Sequence, residues 1–201
     1  RHAKIGDIPR QHVGRVGHDD ATGTACRHVD VVEAHGHVGH DLERWPGGLE
    51  HRTSTSLLCS RRDLPVPGVD RLGDDYRGFL GLASHEYFHS WNVKRIRPAA
   101  FVPYDLARER YTRQLWAFEG ITSYYDDLAL LRSGVIDAES YLELLGRTAS
   151  AVLRTPGRRV QSVADASFDA WIKYYRPDEN TPNAGVSYYA KGALVALALD
   201  L

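Results

Sequence analysis

The sequence predicts an α+β fold that is mostly α-helical, with a short strand region before the first long helix. Two observations support this prediction: five segments after residue 74 place apolar residues at helical spacing, and few strand patterns occur after residue 60. The 201 residues are 43% hydrophobic, which is enough for one sizeable core. We therefore expect one domain in which strands come first and helices follow.

The strand region and the first helix lie next to each other in the chain. Residues 47–60 combine a glycine pair with a Thr/Ser-rich, partly alternating run, which predicts an edge strand. A loop over residues 61–73 then leads into the first helix, with Asp74 or Asp75 as its N-cap. This helix is expected to end near Asn92.

Four further helices are expected after Pro98. The second becomes helical around Leu106 and ends at about Ser133, and the third covers residues 137–153. A short helix within residues 160–175 is followed by a final helix from about Tyr188. The residues predicted to pack inward from the third helix are Leu142, Leu144, Leu145, Val152 and Leu153, and those sharing one side of the fourth are Phe168, Trp171 and Ile172.

The overall composition excludes several classes of function. A formal net charge of −1 gives no basic field for nucleic acid, and no apolar run approaches the roughly 18 residues that span a bilayer. The sequence thus predicts a soluble protein, periplasmic or cytoplasmic, and does not indicate an oligomeric state. The lack of methionine and the uncapped last helix predict a fragment.

A zinc-site motif, H-E-x-x-H, lies in the first helix. It consists of His85, Glu86 and His89. Residues four apart lie about 40° apart around a helix, so both imidazoles can reach one ion. The carboxylate at the edge of that face is placed to take a proton from water on the metal. The surrounding segment is largely apolar, and burying these polar side chains there is costly unless a metal pairs with them.

Glu119 is the best candidate for a third ligand. A zinc hydrolase needs three protein ligands and an open position. Glu119 lies in Leu-Trp-Ala-Phe-Glu-Gly-Ile-Thr-Ser-Tyr-Tyr (115–125), whose apolar positions have the spacing of a buried helix face. A carboxylate on such a face favours a cation as its partner, and the alternative is a partly exposed helical glutamate without a metal.

Four segments of the sequence resemble the glycyl aminopeptidase-like metallopeptidases, relatives of thermolysin and aminopeptidase N. The resemblance covers about residues 47–201 through the segments 47–52, 85–98, 115–125 and 188–192. It implies a gluzincin catalytic domain, here a partial one, with one Zn²⁺ ion. By this resemblance His85, His89 and Glu119 would bind zinc and Glu86 would be the general base. The implied substrates are peptides with a free N-terminus and a small first residue, Gly or Ala.

The resemblance also implies roles for residues outside the motif. Gly47 and Gly48 would bind substrate through their backbone groups, and Glu50 would bind its free amine. Tyr189 matches the tyrosine that stabilises the tetrahedral intermediate, since a phenol at this helix start can donate a hydrogen bond to an oxyanion. Tyr188 could instead fill that role or contact substrate.

Residues 1–46 differ from the rest of the chain. They hold seven of the ten histidines, many glycines and aspartates, and little sustained periodicity. The run Ala-His-Gly-His-Val-Gly-His (34–40) could chelate a metal, but we predict a segment that is poorly ordered or wrongly translated.

Two other functions fit parts of the sequence. A protease-like fold could bind peptides without cutting them, although the intact H-E-x-x-H motif argues against it. A metal-binding protein using the histidine-rich first 46 residues would hold several weak ions and show no peptide turnover.

Overall fold

The computed structural model describes residues 28–33, 47–65, 67–68 and 72–201. Strands come first and helices follow, so the predicted α+β, mostly helical fold is confirmed. Two π-helical turns, Trp116–Gly120 and Ala170–Tyr174, interrupt the helical part. The strands and α-helices within these residues are β1 (His28–Glu33), β2 (Gly47–Glu50), β3 (Ser54–Cys59), α1 (Asp74–Phe88), α2 (Ile121–Arg132), α3 (Ala138–Arg154), α4 (Val163–Phe168), α5 (Thr181–Ala184) and α6 (Tyr188–Asp200).

The chain divides into two compact units, Arg1–Glu86 and Tyr87–Leu201. Of residues 1–46 the structure describes only β1. The rest of this segment, predicted to be poorly ordered or wrongly translated, lies outside the described residues. In the described part of the chain, no helix is both long and apolar enough to cross a membrane.

The strands of the first unit form a sheet in the order β1-β3-β2. Strand β3 pairs in parallel with β1 and antiparallel with β2. The Thr/Ser-rich run is therefore the central strand, and the prediction that it lies at an edge was wrong. A central strand can contain these polar residues because only every second side chain is buried. The buried Thr55 also satisfies its hydroxyl by donating to the Leu49 carbonyl oxygen at 3.1 Å.

Helix α1 begins at Asp74, so Asp74 and Asp75 occupy its first turn and neither is the N-cap that was predicted. Their charges still face the positive end of the helix dipole. The helix ends at Phe88, before the predicted end at Asn92, because the chain turns sharply there. Val93 in this turn has φ of 120°, a conformation that β-branched residues rarely adopt.

The core of the second unit lies between helices α2 and α6. Tyr124 and Leu128 of α2 pack with Ala193 and Ala196 of α6 in one buried cluster. A contact between Gly120 and Gly192 lets the backbone of α6 approach the π-helical turn before α2, since neither residue has a Cβ. Gly134, with φ of 75°, ends α2 as predicted.

The start of the second helix was predicted too early. Leu106 is exposed and not helical, because Asp105 accepts a hydrogen bond from the Ala107 N–H at 2.9 Å and holds a local turn instead. Helical structure begins at Leu115.

Some predicted core residues are at the surface. Leu142 and Leu153 of α3 are exposed because they lie eleven residues, about three turns, apart on an outer face. The inner face of α3 carries Val152 instead. Phe168, Trp171 and Ile172, predicted to share one side of a single short helix, are exposed as well and are divided between α4 and the second π-helical turn.

Candidate metal centre

The metal-site motif spans the end of α1 and the turn that follows it. His85 and Glu86 lie in the last turn of the helix, and His89 comes directly after Phe88. Glu86 and His89 are buried, with 5% and 2% of their surface exposed. Charged and polar side chains are rarely buried this deeply unless they serve a site or a specific partner.

The orientation of His89 is set by the turn after α1. Its Nδ1 lies 2.9 Å from the backbone carbonyl oxygen of Asn92. A carbonyl oxygen only accepts hydrogen bonds, so Nδ1 carries the proton and donates it. The other ring nitrogen, Nε2, lies 3.2 Å from Oε2 of Glu119. A carbonyl partner on the far nitrogen is the usual arrangement for a metal-binding histidine.

The position of Glu119 depends on the π-helical turn that contains it. A π-helical turn shifts the backbone hydrogen bonds, and here the side chain of Asn92 supplies donors to the affected carbonyl oxygens. Its Nδ2 lies 3.2 Å from the oxygens of both Ala117 and Phe118 and 3.1 Å from Oγ1 of Thr122. The Thr122 hydroxyl, itself fully buried, donates to the Phe118 carbonyl oxygen at 2.5 Å.

Asn92 and Thr122 support the candidate ligands His89 and Glu119, and neither was predicted from the sequence. Asn92 contacts His89 through its backbone and the Glu119 turn through its side chain. The sequence offered one indication of both residues. Asn92 lies three positions after His89 and Thr122 lies three positions after Glu119, and both are polar residues in apolar surroundings.

Glu86 lies against strand β2 in the first unit. A Cβ built on Gly48 would overlap the Glu86 carboxyl group, so this close approach requires glycine. A carboxylate oxygen of Glu50, the last residue of β2, lies within 4.8 Å of one of Glu86. The structure therefore brings Gly48, Glu50 and Glu86 together, whereas a Cβ on Gly47 would meet open space.

Tyr188 and Tyr189 occupy the first turn of α6, as predicted. Burial raises the pKa of the Tyr189 phenol far above its usual value, and the negative charge of Glu119 raises it further. Burial likewise raises the pKa of Tyr188. Both phenols therefore keep their protons at neutral pH and can act as hydrogen-bond donors.

Two comparisons with known proteins find similarity to aminopeptidases. Residues 78–195 match the family described as M61 glycyl aminopeptidase. A solved structure described as an aminopeptidase N family protein from Idiomarina loihiensis is 42% identical, with a TM-score of 0.80. The similarity covers 94% of this chain and 37% of that one, so the chain spans little more than a third of that relative's length. None of the curated proteins matches the chain.

Proposed function

The chain belongs to the M61 glycyl aminopeptidase family, and we propose that it hydrolyses peptide bonds with one zinc ion held by His85, His89 and Glu119. The observation that carries this proposal is the contact between Nε2 of the buried His89 and Oε2 of the partly buried Glu119 at 3.2 Å. With Nδ1 donating to Asn92, a neutral His89 presents the lone pair of Nε2 beside a carboxylate oxygen, and a metal ion between these two atoms would pair with both of them.

The donor set fits zinc. Two imidazoles and one carboxylate, the side chains of His85, His89 and Glu119, are a ligand set that catalytic zinc sites use. His85 lies in the last turn of α1, and His89 directly follows the end of the helix. The zinc ion would supply Lewis acidity, which lowers the pKa of water and polarises a carbonyl group.

Glu86 acts as the general base in this proposal. A carboxylate next to the metal-binding histidines can accept a proton from the attacking water and pass it to the leaving amine. The contact with Gly48 supports this role because it restricts where the carboxyl group can lie. Proton transfer requires the donor and acceptor to be within hydrogen-bond reach, so a fixed position favours the reaction.

Tyr189 donates a hydrogen bond to the oxyanion that forms as water adds to the peptide carbonyl. Its raised pKa supports this role, since only the protonated phenol can donate. Tyr188, 1% exposed, is the more deeply enclosed of the two tyrosines and supports the wall of the site.

The substrate is a peptide with a free N-terminus and a small first residue. We assign the protonated amine to Glu50, whose carboxylate lies within 4.8 Å of that of Glu86. Binding the amine there leaves the first peptide bond near Glu86, while the backbone groups of Gly47 and Gly48 hold the extended substrate along β2. Such an arrangement releases one residue at a time.

Metal counting with a peptidase assay tests the proposal. The complete protein should contain one zinc per chain and cleave glycyl or alanyl peptides, and a chelator should abolish turnover until zinc is restored. Full activity without metal would refute it. One zinc without turnover would favour a peptide-binding module, and several weakly held ions without turnover would favour a histidine-rich metal-binding protein.

Blocking the substrate amine tests the aminopeptidase assignment separately. Acetylation of the peptide should lower kcat/KM of the wild-type protein. Glu50→Ala should lose most of this preference for the free amine, because the buried charge pair between amine and carboxylate is worth roughly 2 to 4 kcal/mol. Equal cleavage of free and acetylated peptides would remove the role of Glu50 and leave zinc hydrolysis in place.

A further inference from the structure

The chain just before α6 is held by a turn that follows α3. Gly157 in this turn packs against the backbone of Gly185, because a Cβ built on Gly157 would lie only 2.6 Å from the Gly185 nitrogen. The side-chain oxygen of Gln161 accepts a hydrogen bond from the Val186 N–H at 3.1 Å. Residues 157–161, here called the anchor segment, therefore fix the chain at two points before the helix begins.

Lys191 connects α6 itself to the anchor segment. Its Nζ donates to the backbone carbonyl oxygens of Arg158 at 2.8 Å and Gln161 at 3.0 Å. Residues two apart on a helix lie about 200° apart around its axis, so Lys191 and Tyr189 lie on nearly opposite sides of α6. The anchor segment thus holds the chain both before and after the two tyrosines that begin this helix.

The place of Lys191 is unfavourable for a charged side chain. Burial lowers the pKa of its ammonium group, and the positive charge of Arg158 lowers it further. The Arg158 carbonyl belongs to the end of a short helical turn, Pro156–Arg159, where carbonyl oxygens lack partners within the turn. Lys191 therefore gains specific contacts that offset the cost of partly burying its charge.

The anchor segment is itself fixed by hydrogen bonds. The backbone N–H of Gln161 donates to the Gly157 carbonyl oxygen at 2.8 Å, which closes the turn. Arg158 Nε donates to the carbonyl oxygen of Leu153, in α3, at 3.1 Å. The anchor segment can therefore support α6 instead of following its movements.

We propose that Lys191 and Gln161 are positioning residues for peptide hydrolysis, which hold the first turn of α6 so that Tyr189 keeps its place near Glu119. This inference rests on the proposed function and extends it. A hydroxyl at the end of a long side chain moves further than the backbone when its helix rotates, and a misplacement of about 1 Å can cost about 100-fold in rate. Neither positioning residue was given a role in the sequence analysis.

Hydrolysis of a free glycyl peptide by the complete, zinc-loaded protein tests this inference. Lys191→Met keeps the length of the side chain and removes its donors, and it should lower kcat about tenfold with little change in KM. This split is expected because the oxyanion forms during the reaction and not on substrate binding. Lys173→Met is the matched control, since the exposed Lys173 pairs with Asp169 at 2.8 Å, and it should keep the wild-type kcat.

A pair of variants tests Gln161 in the same assay. Gln161→Leu removes the acceptor for the Val186 N–H and should lower kcat about three- to tenfold. Gln161→Glu keeps an oxygen at the same place and should retain a kcat close to that of the wild-type protein. Both variants leave the backbone oxygen that binds Lys191, so this pair decides the inference if Lys191→Met does not fold.

Two further measurements separate positioning from a general loss of stability. Adding Lys191→Met to Tyr189→Phe should leave kcat at the Tyr189→Phe value, because Lys191 acts through the Tyr189 hydroxyl, whereas the thermal unfolding midpoint should fall equally in both backgrounds. Affinity for a phosphinic peptide, which mimics the tetrahedral intermediate, should fall in Lys191→Met by the same factor as kcat/KM.

The outcomes distinguish this inference from the proposed function. An active wild-type protein with equal kcat in the Lys191→Met and Lys173→Met variants would overturn the inference alone. Equal losses of kcat from Lys191→Met with and without the Tyr189 hydroxyl would overturn it as well, and so would equal kcat in Gln161→Leu and Gln161→Glu. A wild-type protein that binds zinc but hydrolyses no peptide would refute the proposed function, and this inference with it.

Discussion

Asn92 joins two segments of the candidate metal centre, the turn after α1 and the π-helical turn that carries Glu119. Its backbone carbonyl oxygen fixes the ring of His89, and its side-chain amide holds the turn that carries Glu119. A ligand that must meet a metal within a few tenths of an ångström depends on such supporting contacts. The amide is buried, so no water can replace it without rearrangement.

Replacing this amide should weaken zinc binding. Asn92→Ala leaves the carbonyl contact to His89 but removes the donors to the Glu119 turn, and we expect zinc affinity to fall about 10- to 100-fold. Competition with a chromophoric chelator measures this affinity. Asn183→Ala, which removes an exposed amide on α5, is the control and should bind zinc normally. Unchanged affinity in Asn92→Ala would show that the amide does not support the site.

Gly48 offers a second test at the scale of one residue. In Gly48→Ala the new methyl group should displace the flexible end of Glu86, so we expect peptide turnover to fall at least tenfold while zinc content is kept. A Cβ on Gly78, at an open position of α1, meets nothing within 4 Å, so Gly78→Ala is the control. Normal turnover in Gly48→Ala would mean that Glu86 needs no such fixed position.

At the scale of elements, the contact between α6 and the first π-helical turn places Tyr189 near Glu119. A Cβ on Gly192 would lie 2.9 Å from both the Gly120 Cα and the Trp116 carbonyl oxygen. Both obstacles are backbone atoms, which cannot move aside as a side chain can. The helix would have to shift as a whole.

Gly192→Ala should therefore destabilise the protein by about 1 to 3 kcal/mol. Gly146→Ala is a matched helical control, because a Cβ there meets nothing within 4 Å and alanine favours a helix over glycine. Denaturant unfolding of both variants measures the difference. Equal or greater stability of Gly192→Ala would contradict the close contact.

The sequence predicted elements best where the pattern is local. Helix α6 starts at Tyr188 and α3 covers Ala138–Arg154, close to prediction, because apolar spacing and caps mark both. The π-helical turn around Glu119 could not be predicted, since the side-chain donor to two of its carbonyl oxygens is Asn92, distant in the sequence. The central position of β3 was missed for the same reason, because strand order depends on pairing between segments.

At the scale of the whole molecule, the candidate metal ligands could be predicted from their spacing in the sequence. The residues that support them could not. His85, Glu86 and His89 form a motif that a sequence displays directly, and Glu119 follows from the need for a third ligand. Asn92 and Thr122 lie outside the motif, and their supporting contacts depend on the tertiary structure. A motif thus indicates the chemistry, and the fold determines which other residues hold the candidate ligands in place.

The most direct measurement of the central claim is peptide turnover by the zinc-loaded Glu86→Gln protein, with zinc counted in the same sample. Glutamine keeps the size of the side chain but cannot act as a base at neutral pH. We predict one zinc per chain, as in the wild-type protein, and a loss of kcat of about 100-fold or more on a free glycyl peptide. Turnover close to the wild-type rate with zinc in place would contradict the claim that Glu86 is the base of a zinc peptidase.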